Sequence, residues 1–141
     1  MEFNTQICTK VEQSKRLLEL GLKKETADMM YQTFELIPEE NRYYDLKPEY
    51  YKPALEGLVH IPAWSLHRLV EMVPHVIWHT EYEDRPRLKH TFWFSKHAPS
   101  YDSTEDIDFR EHPNLYNNII DCIEWLINNG YFSKEYMEDK Q

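Results

Sequence analysis

Apolar side chains recur at helical spacing in three segments of the chain, residues 10–20, 66–73 and 113–129. Each segment is bounded by residues that start or stop helices: Thr9 and Gly21, Ser65 and Pro74, Pro113 and Gly130. Thr9 and Glu12 have the spacing of a capping box, in which each side chain accepts a hydrogen bond from the other residue's backbone amide. We therefore predict three helices.

An antiparallel hairpin is predicted in the middle of the chain. Residues 75–82 and 88–95 are rich in β-forming side chains, and a polar turn with a proline joins them. Pairing Tyr82 with Leu88 gives the hairpin one apolar face, formed by Val76, Trp78, Thr80, Tyr82, Leu88, His90, Phe92 and Phe94. The opposite face then holds two cross-strand pairs, Glu81 with Lys89 and His79 with Thr91.

These elements together predict an α+β fold in a single domain over residues 1–141, with the hairpin packed against about three helices. Whether the fold contains a third strand is left open. Residues 29–36 place Met30, Phe34 and Leu36 on one face of a strand, although residues 27–34 also fit a helix.

Three segments have no regular apolar pattern, residues 37–60, 98–112 and 133–141. The first contains three prolines and two pairs of tyrosines, and an irregular segment of this length is uncommon unless it is functional or mobile. The second is acidic. We expect a solvated loop there rather than a calcium site, because Ile107 and Pro113 stand where a calcium loop needs glycine and glutamate. The third is expected to be a frayed tail or a short helical turn.

Charge and composition limit the classes of function. The 141 residues contain 16 Lys and Arg against 25 Asp and Glu, and the net charge of -9 opposes binding to nucleic acid and to anionic lipid. Three glycines are too few for a phosphate-binding loop. The sequence shows neither a secretory signal nor a membrane-spanning apolar run, and its two cysteines, Cys8 and Cys122, fit a reducing compartment. We expect a cytoplasmic protein.

Seven histidines raise the question of a metal site. His75 and His79 are four residues apart, which suits zinc on a helix, but on a strand their side chains stand about 13 Å apart and cannot share an ion. His90 belongs to the apolar face of the predicted hairpin. The sequence therefore assigns no catalytic residue, no metal and no cofactor. A small metal-assisted hydrolase that uses His75, His79, Glu81 and His90 is kept as an alternative.

The candidate binding surface consists of four tyrosines and one tryptophan: Tyr43, Tyr44, Tyr50, Tyr51 and Trp64. Both residue types are enriched among the residues that dominate protein–protein affinity. The competing interpretation is that the tyrosines cap the hydrophobic core with their hydroxyls in water. We predict that this surface binds a protein partner.

A likeness to a known group of proteins lies in three stretches of the sequence: CTKVEQSKRLLELGLKKETADM (residues 8–29), IPAWSLHRLVEMVP (61–74) and IIDCIEWLINNGYF (119–132). In these stretches the chain resembles small uncharacterised proteins carried by phages, prophages and mobile elements of Bacteroides-type gut bacteria. The resemblance implies life inside a bacterial host and no particular chemistry. The leading hypothesis is a phage or mobile-element accessory protein that acts by protein–protein contact without catalysis. An acidic mimic of nucleic acid, which occupies a DNA-binding protein, is a further alternative.

Overall fold

The computed structural model describes residues 6–48, 57–79, 87–95, 98–102 and 107–139. The helices in these ranges are α1 (Val11–Glu19), α2 (Leu66–Met72) and α3 (Leu115–Asn128). The strands are β1 (Met29–Phe34), β2 (Asp45–Lys47), β3 (Leu58–Ala63), β4 (Val76–His79), β5 (Arg87–Ser95), β6 (Ala98–Asp102) and β7 (Ile107–Asp108). The α+β class with antiparallel strands is confirmed. None of the described helices has both the length and the apolar character that crossing a bilayer requires.

The chain divides into two compact units. One contains the described residues up to Leu69 together with those from Tyr136 onward, and the other spans Val70–Glu135. The first unit holds a three-stranded sheet in the order β2-β1-β3, and the second holds a four-stranded sheet in the order β4-β5-β6-β7. All neighbouring strands are antiparallel. The assignment of residues 1–141 to one domain stays a prediction.

The start of α1 differs from the predicted capping box. The backbone amide of Lys10 donates to Gln13 Oε1 at 2.9 Å, so the cap lies one residue later than expected. The Thr9 side chain is completely buried, and its hydroxyl bonds Ser14 Oγ at 2.7 Å and accepts from the Trp64 amide at 3.0 Å. The predicted pair of Thr9 with Glu12 is wrong because the Thr9 hydroxyl forms hydrogen bonds with buried partners instead.

Residues 29–36 resolve in favour of the strand, since Met29–Phe34 pairs with both β2 and β3. The prediction of irregular structure over residues 37–60 is wrong in part, because β2 and the beginning of β3 lie there. Residues 98–112 are likewise not a simple acidic loop, since they contain β6 and β7. β3 pairs with the earlier strand β1, whereas β6 pairs with the adjacent β5 and β7 with β6. In both segments the backbone pairing of strands overrides local composition.

The described part of the C-terminal tail pairs with the residues that follow α1. Lys134–Tyr136 form a single 3-10 turn, and Met137 bridges Leu22 in antiparallel fashion. The Lys23 amide donates to the Tyr136 carbonyl at 2.8 Å, and the Glu138 amide donates to the Gly21 carbonyl at 2.7 Å. From Tyr136 onward the tail therefore belongs structurally to the first unit.

The hairpin of β4 and β5 is present, but its predicted register is wrong. Thr91 lies opposite Val76 instead of His79, and His79 lies opposite Arg87, with a register shift between Ile77 and Trp78. The residue opposite Thr91 is therefore three positions earlier on β4 than predicted. Because side chains alternate between the two faces of a strand, an odd displacement exchanges the faces of β4. Ile77 is accordingly buried, whereas Val76, which was expected on the apolar face, is 38% exposed.

Helix α3 supplies the core of the second unit and packs on β6. Five residues of the hydrophobic core on this helix are completely buried: Ile119, Ile120, Cys122, Ile123 and Leu126. The Tyr101 ring on β6 lies 5.6 Å from the ring of Trp125, and its hydroxyl donates to the Pro74 carbonyl at 2.7 Å. The helix has the predicted apolar spacing, and its bounds lie within two residues of those expected.

Candidate functional site

The connection between β1 and β2, residues 34–44, is a compact loop held by its own backbone hydrogen bonds. The Ile37 amide donates to Phe34, the Asn41 amide to Pro38 and the Arg42 amide to Glu39, over 2.9–3.3 Å. The Glu35 amide donates to the Gly57 carbonyl at 2.8 Å, and this bond connects the loop to the residue that precedes β3. We call this segment the 34–44 loop.

One arginine braces the 34–44 loop from within. Arg42 Nε donates to the Ile37 carbonyl at 3.0 Å, and Arg42 Nη2 donates to the Glu35 carbonyl at 3.4 Å. The rigid fork of the guanidinium group suits such paired contacts. The order of the loop therefore depends on polar contacts rather than on apolar packing.

Three large side chains of the loop stand in solvent: Phe34 is 59% exposed, Leu36 96% and Tyr43 82%. Gln32 pairs with Asp45 in the β1–β2 ladder, and the same register continued by two residues sets Phe34 opposite Tyr43. We call these three side chains the loop apolar surface. Phe34 and Leu36 were expected on one strand face with Met30; Phe34 is the last residue of β1, whereas Leu36 lies beyond the strand.

The loop apolar surface is bordered by negative charge. Glu35, Glu39 and Glu40 are all exposed, and Arg42 is the cation of the loop. Glu39 lies 3.6 Å from Lys15 Nζ on α1 in a solvent-exposed ion pair, which adds little stability but fixes one carboxylate. The border is therefore acidic around an apolar centre.

The structure separates the five aromatic residues of the predicted binding surface. Tyr43 is exposed, and Tyr44 is half-buried with its ring edge against Tyr31 at a centroid distance of 6.4 Å. Trp64 is completely buried, and its indole nitrogen donates to Thr26 Oγ1 at 2.9 Å. Trp64 is thus a core residue, and its placement on a binding surface is wrong. Tyr50 and Tyr51 lie outside the described residues.

The histidines of the hairpin form no site among the described side chains. His75 is exposed, and its ring lies edge-on to Phe92 at 5.9 Å. The side chains of His79 and His90, and all of Glu81, lie outside the described residues. The hydrolase that would use these residues stays a hypothesis.

Both cysteines are buried free thiols. Burial raises the pKa of Cys122 strongly, and the nearby Asp121 carboxylate adds to the effect. Burial also raises the pKa of Cys8, and this effect outweighs the lowering by the hydrogen bond between its sulfur and the Tyr31 hydroxyl at 3.5 Å. Because the thiolate is the nucleophilic form, neither cysteine is suited to nucleophilic catalysis at neutral pH.

A second cluster of functional side chains lies before and within α3. Glu111, His112 and Asp121 each offer one metal-binding atom, and these atoms lie within 4.8 Å of one another. His112 Nε2 is 2.9 Å from Asp121 Oδ2. Across the part of the chain that the structure describes, no other group of three His, Cys, Asp or Glu residues meets this criterion.

The side chains of two asparagines hold the backbone around this cluster through hydrogen bonds. Asn114 caps α3 by accepting from the amides of Tyr116 and Asn117 at 2.9 and 3.2 Å. Asn118 is buried, accepts from the His112 amide at 3.0 Å and donates to the His112 carbonyl at 2.9 Å. These bonds hold His112 against the first turns of the helix.

Sequence reasoning missed this cluster, although the sequence carries a signal for it. Asn114, Asn118 and Asp121 are spaced by four and three residues, which places them on one side of the predicted helix. The position of His112 against that stripe depends on the Asn118 contacts, which spacing does not show.

Comparison of the chain with protein-family models, with curated proteins and with solved structures finds no match.

Proposed function

We propose that this protein acts by binding a protein partner through the loop apolar surface, without catalysis. The observation that carries the proposal is Leu36, a leucine 96% exposed on a loop whose backbone is fixed by hydrogen bonds and by Arg42. Its two exposed companions, Phe34 and Tyr43, enlarge the apolar area.

The energetics favour binding by such a surface. Burying a leucine or phenylalanine side chain in a partner contributes about 1.5–3 kcal/mol each, and the core of the first unit gains nothing from them where they stand. A loop that is already ordered loses less conformational entropy on binding than a flexible one. Affinity would therefore be concentrated in a few side chains, as is usual for protein interfaces.

The acidic border specifies the chemistry of the partner. Three exposed glutamates lie in the same loop as the apolar side chains, so the complementary surface is an apolar recess edged by lysine or arginine. The proposed setting is a bacterial host cell in which a phage or mobile element encodes the protein, and the resemblance in residues 8–29, 61–74 and 119–132 supports this setting.

The proposal is tested by selecting random displayed peptides on the immobilised protein and measuring the affinity of the enriched peptides by fluorescence anisotropy. We expect enriched peptides to combine a large apolar residue with lysine or arginine. Leu36→Ser and Tyr43→Ser should each weaken binding about tenfold, which corresponds to about 1.4 kcal/mol. Binding should also weaken as salt is raised.

The matched control is Ile7→Ser, since Ile7 is 57% exposed and lies outside the loop. Circular dichroism checks that each variant remains folded. The proposal is overturned when the enriched peptides bind Leu36→Ser and Tyr43→Ser as tightly as the unchanged protein, or when Ile7→Ser weakens them equally.

A further inference from the structure

The cluster of Glu111, His112 and Asp121 combines one imidazole with two carboxylates, and two of the three are held on ordered backbone. Asn118 fixes His112 through both its amide and its carbonyl. Asp121 lies in the second turn of α3, which Asn114 caps. These contacts fix the backbone positions from which the His112 and Asp121 side chains extend.

Distances within the cluster are compatible with a single small ion. Ligands about 2.0–2.1 Å from a tetrahedral zinc stand about 3.3 Å from each other. His112 Nε2 and Asp121 Oδ2 are 2.9 Å apart, so an opening of about 0.4 Å admits the ion between them. Glu111 is exposed, and its flexible side chain can close the remaining distance within the 4.8 Å spread of the group.

The donor types select among metals. Calcium and magnesium prefer sites made wholly of oxygen, whereas an imidazole nitrogen suits zinc and related transition metals. Three protein ligands are the usual number in zinc sites that keep a fourth position for water or another ligand. The Asp121 side chain is 23% exposed and that of His112 38% exposed, which leaves that position open to solvent.

We infer that Glu111, His112 and Asp121 form a binding site for one divalent transition-metal ion, with Zn²⁺ as the best match. The inference uses residues outside the 34–44 loop and stands whether or not that loop binds a partner.

The test measures Zn²⁺ binding to the full chain by competition with a chromophoric chelator. His112→Ala and Asp121→Asn should each lower the affinity of one equivalent by roughly 100-fold or more, since even outer contacts of metal ligands contribute 10–100-fold. Glu111→Gln replaces an exposed carboxylate by a group of the same shape and should weaken the same equivalent while leaving the fold intact.

Two controls keep the test specific. His67→Ala and His75→Ala remove exposed imidazoles outside the cluster and should leave that equivalent unchanged. Two-dimensional NMR should show that Zn²⁺ shifts the amide signals of residues 111–121 in the unchanged protein. Unaltered binding in both His112→Ala and Glu111→Gln, or a loss confined to His75→Ala, would overturn the inference.

Discussion

Helix α3 and the 34–44 loop are both rich in large apolar side chains, yet they use them in opposite ways. On α3 the residues at helical spacing, such as Ile123 and Leu126, have no exposed surface. In the loop Leu36 and Tyr43 are almost fully exposed, and Arg42 braces the backbone instead. Apolar burial therefore stabilises the helix, whereas polar contacts order the loop and leave its apolar side chains available for binding.

Substitutions in the core of α3 and in the 34–44 loop separate the two regions directly. Ile123→Ala leaves a cavity in a fully buried position and should lower the free energy of unfolding by about 2–5 kcal/mol. Leu36→Ala should change it by less than about 0.5 kcal/mol, because the side chain is already in water. Urea unfolding followed by circular dichroism measures both. Comparable losses in the two variants would show that Leu36 is packed and that the contrast between the regions is false.

An intermediate effect concerns the pH dependence of α3. Burial raises the pKa of Cys122 above the ordinary thiol value of 9.0, so above that pH the unfolded chain releases a proton that the folded chain keeps. The folded state therefore loses stability as the pH rises past 9.0, by up to about 1.4 kcal/mol per pH unit for this group. Burial acts in the same direction on Tyr101, above its ordinary pKa of 10.0.

Cys122→Ala isolates the contribution of the thiol. The variant loses some packing at every pH, so the informative quantity is the slope of unfolding free energy against pH, obtained from urea titrations at neutral and alkaline pH. We expect a shallower decline above pH 9.0 in Cys122→Ala than in the unchanged protein. Parallel curves would show that the thiol ionises equally in the folded and unfolded states.

A modest and local effect is expected for Arg42→Ala. Removal of its two hydrogen bonds to carbonyls should cost about 0.5–1.5 kcal/mol or less, because the loop is open to water. Hydrogen exchange of the Ile37, Asn41 and Arg42 amides should accelerate, while exchange within α3 stays unchanged. Arg110→Ala is the matched control, since Arg110 is a half-exposed arginine that pairs with Asp108. Equal hydrogen-exchange rates of the loop amides in both variants would show that the Arg42 side chain does not stabilise the loop.

The helices could be predicted from the sequence because their signals are local. Gly130 has a positive φ of 75° after α3, and the Ser65 hydroxyl accepts from the Arg68 amide at the start of α2, as the sequence indicates. The hairpin register could not be predicted. Val76 and Ile77 belong to a continuous apolar run, so alternation does not reveal which of them points inward, and the register shift beside Ile77 has no sequence signal.

The candidate sites depend on tertiary contacts, and this explains the remaining errors. Tryptophan is a residue type that is common at interfaces. Trp64 is buried instead, and its indole nitrogen donates to the Thr26 hydroxyl, which lies 38 residues earlier in the chain. Tyr43 was correctly expected to be exposed at a surface, although its binding role stays a proposal. His112 gains its position from Asn118, a contact that only the folded helix creates.

The pairing of Met137 with Leu22 determines when the first unit can be completed during protein synthesis. Residues around Leu22 leave the ribosome early, but their hydrogen-bonding partners on Tyr136 and Glu138 follow only after all of Val70–Glu135 has been made. Until then the backbone after α1 has no tail to pair with. The second unit, being continuous in sequence, can finish folding first, although its residues are translated later than most of the first.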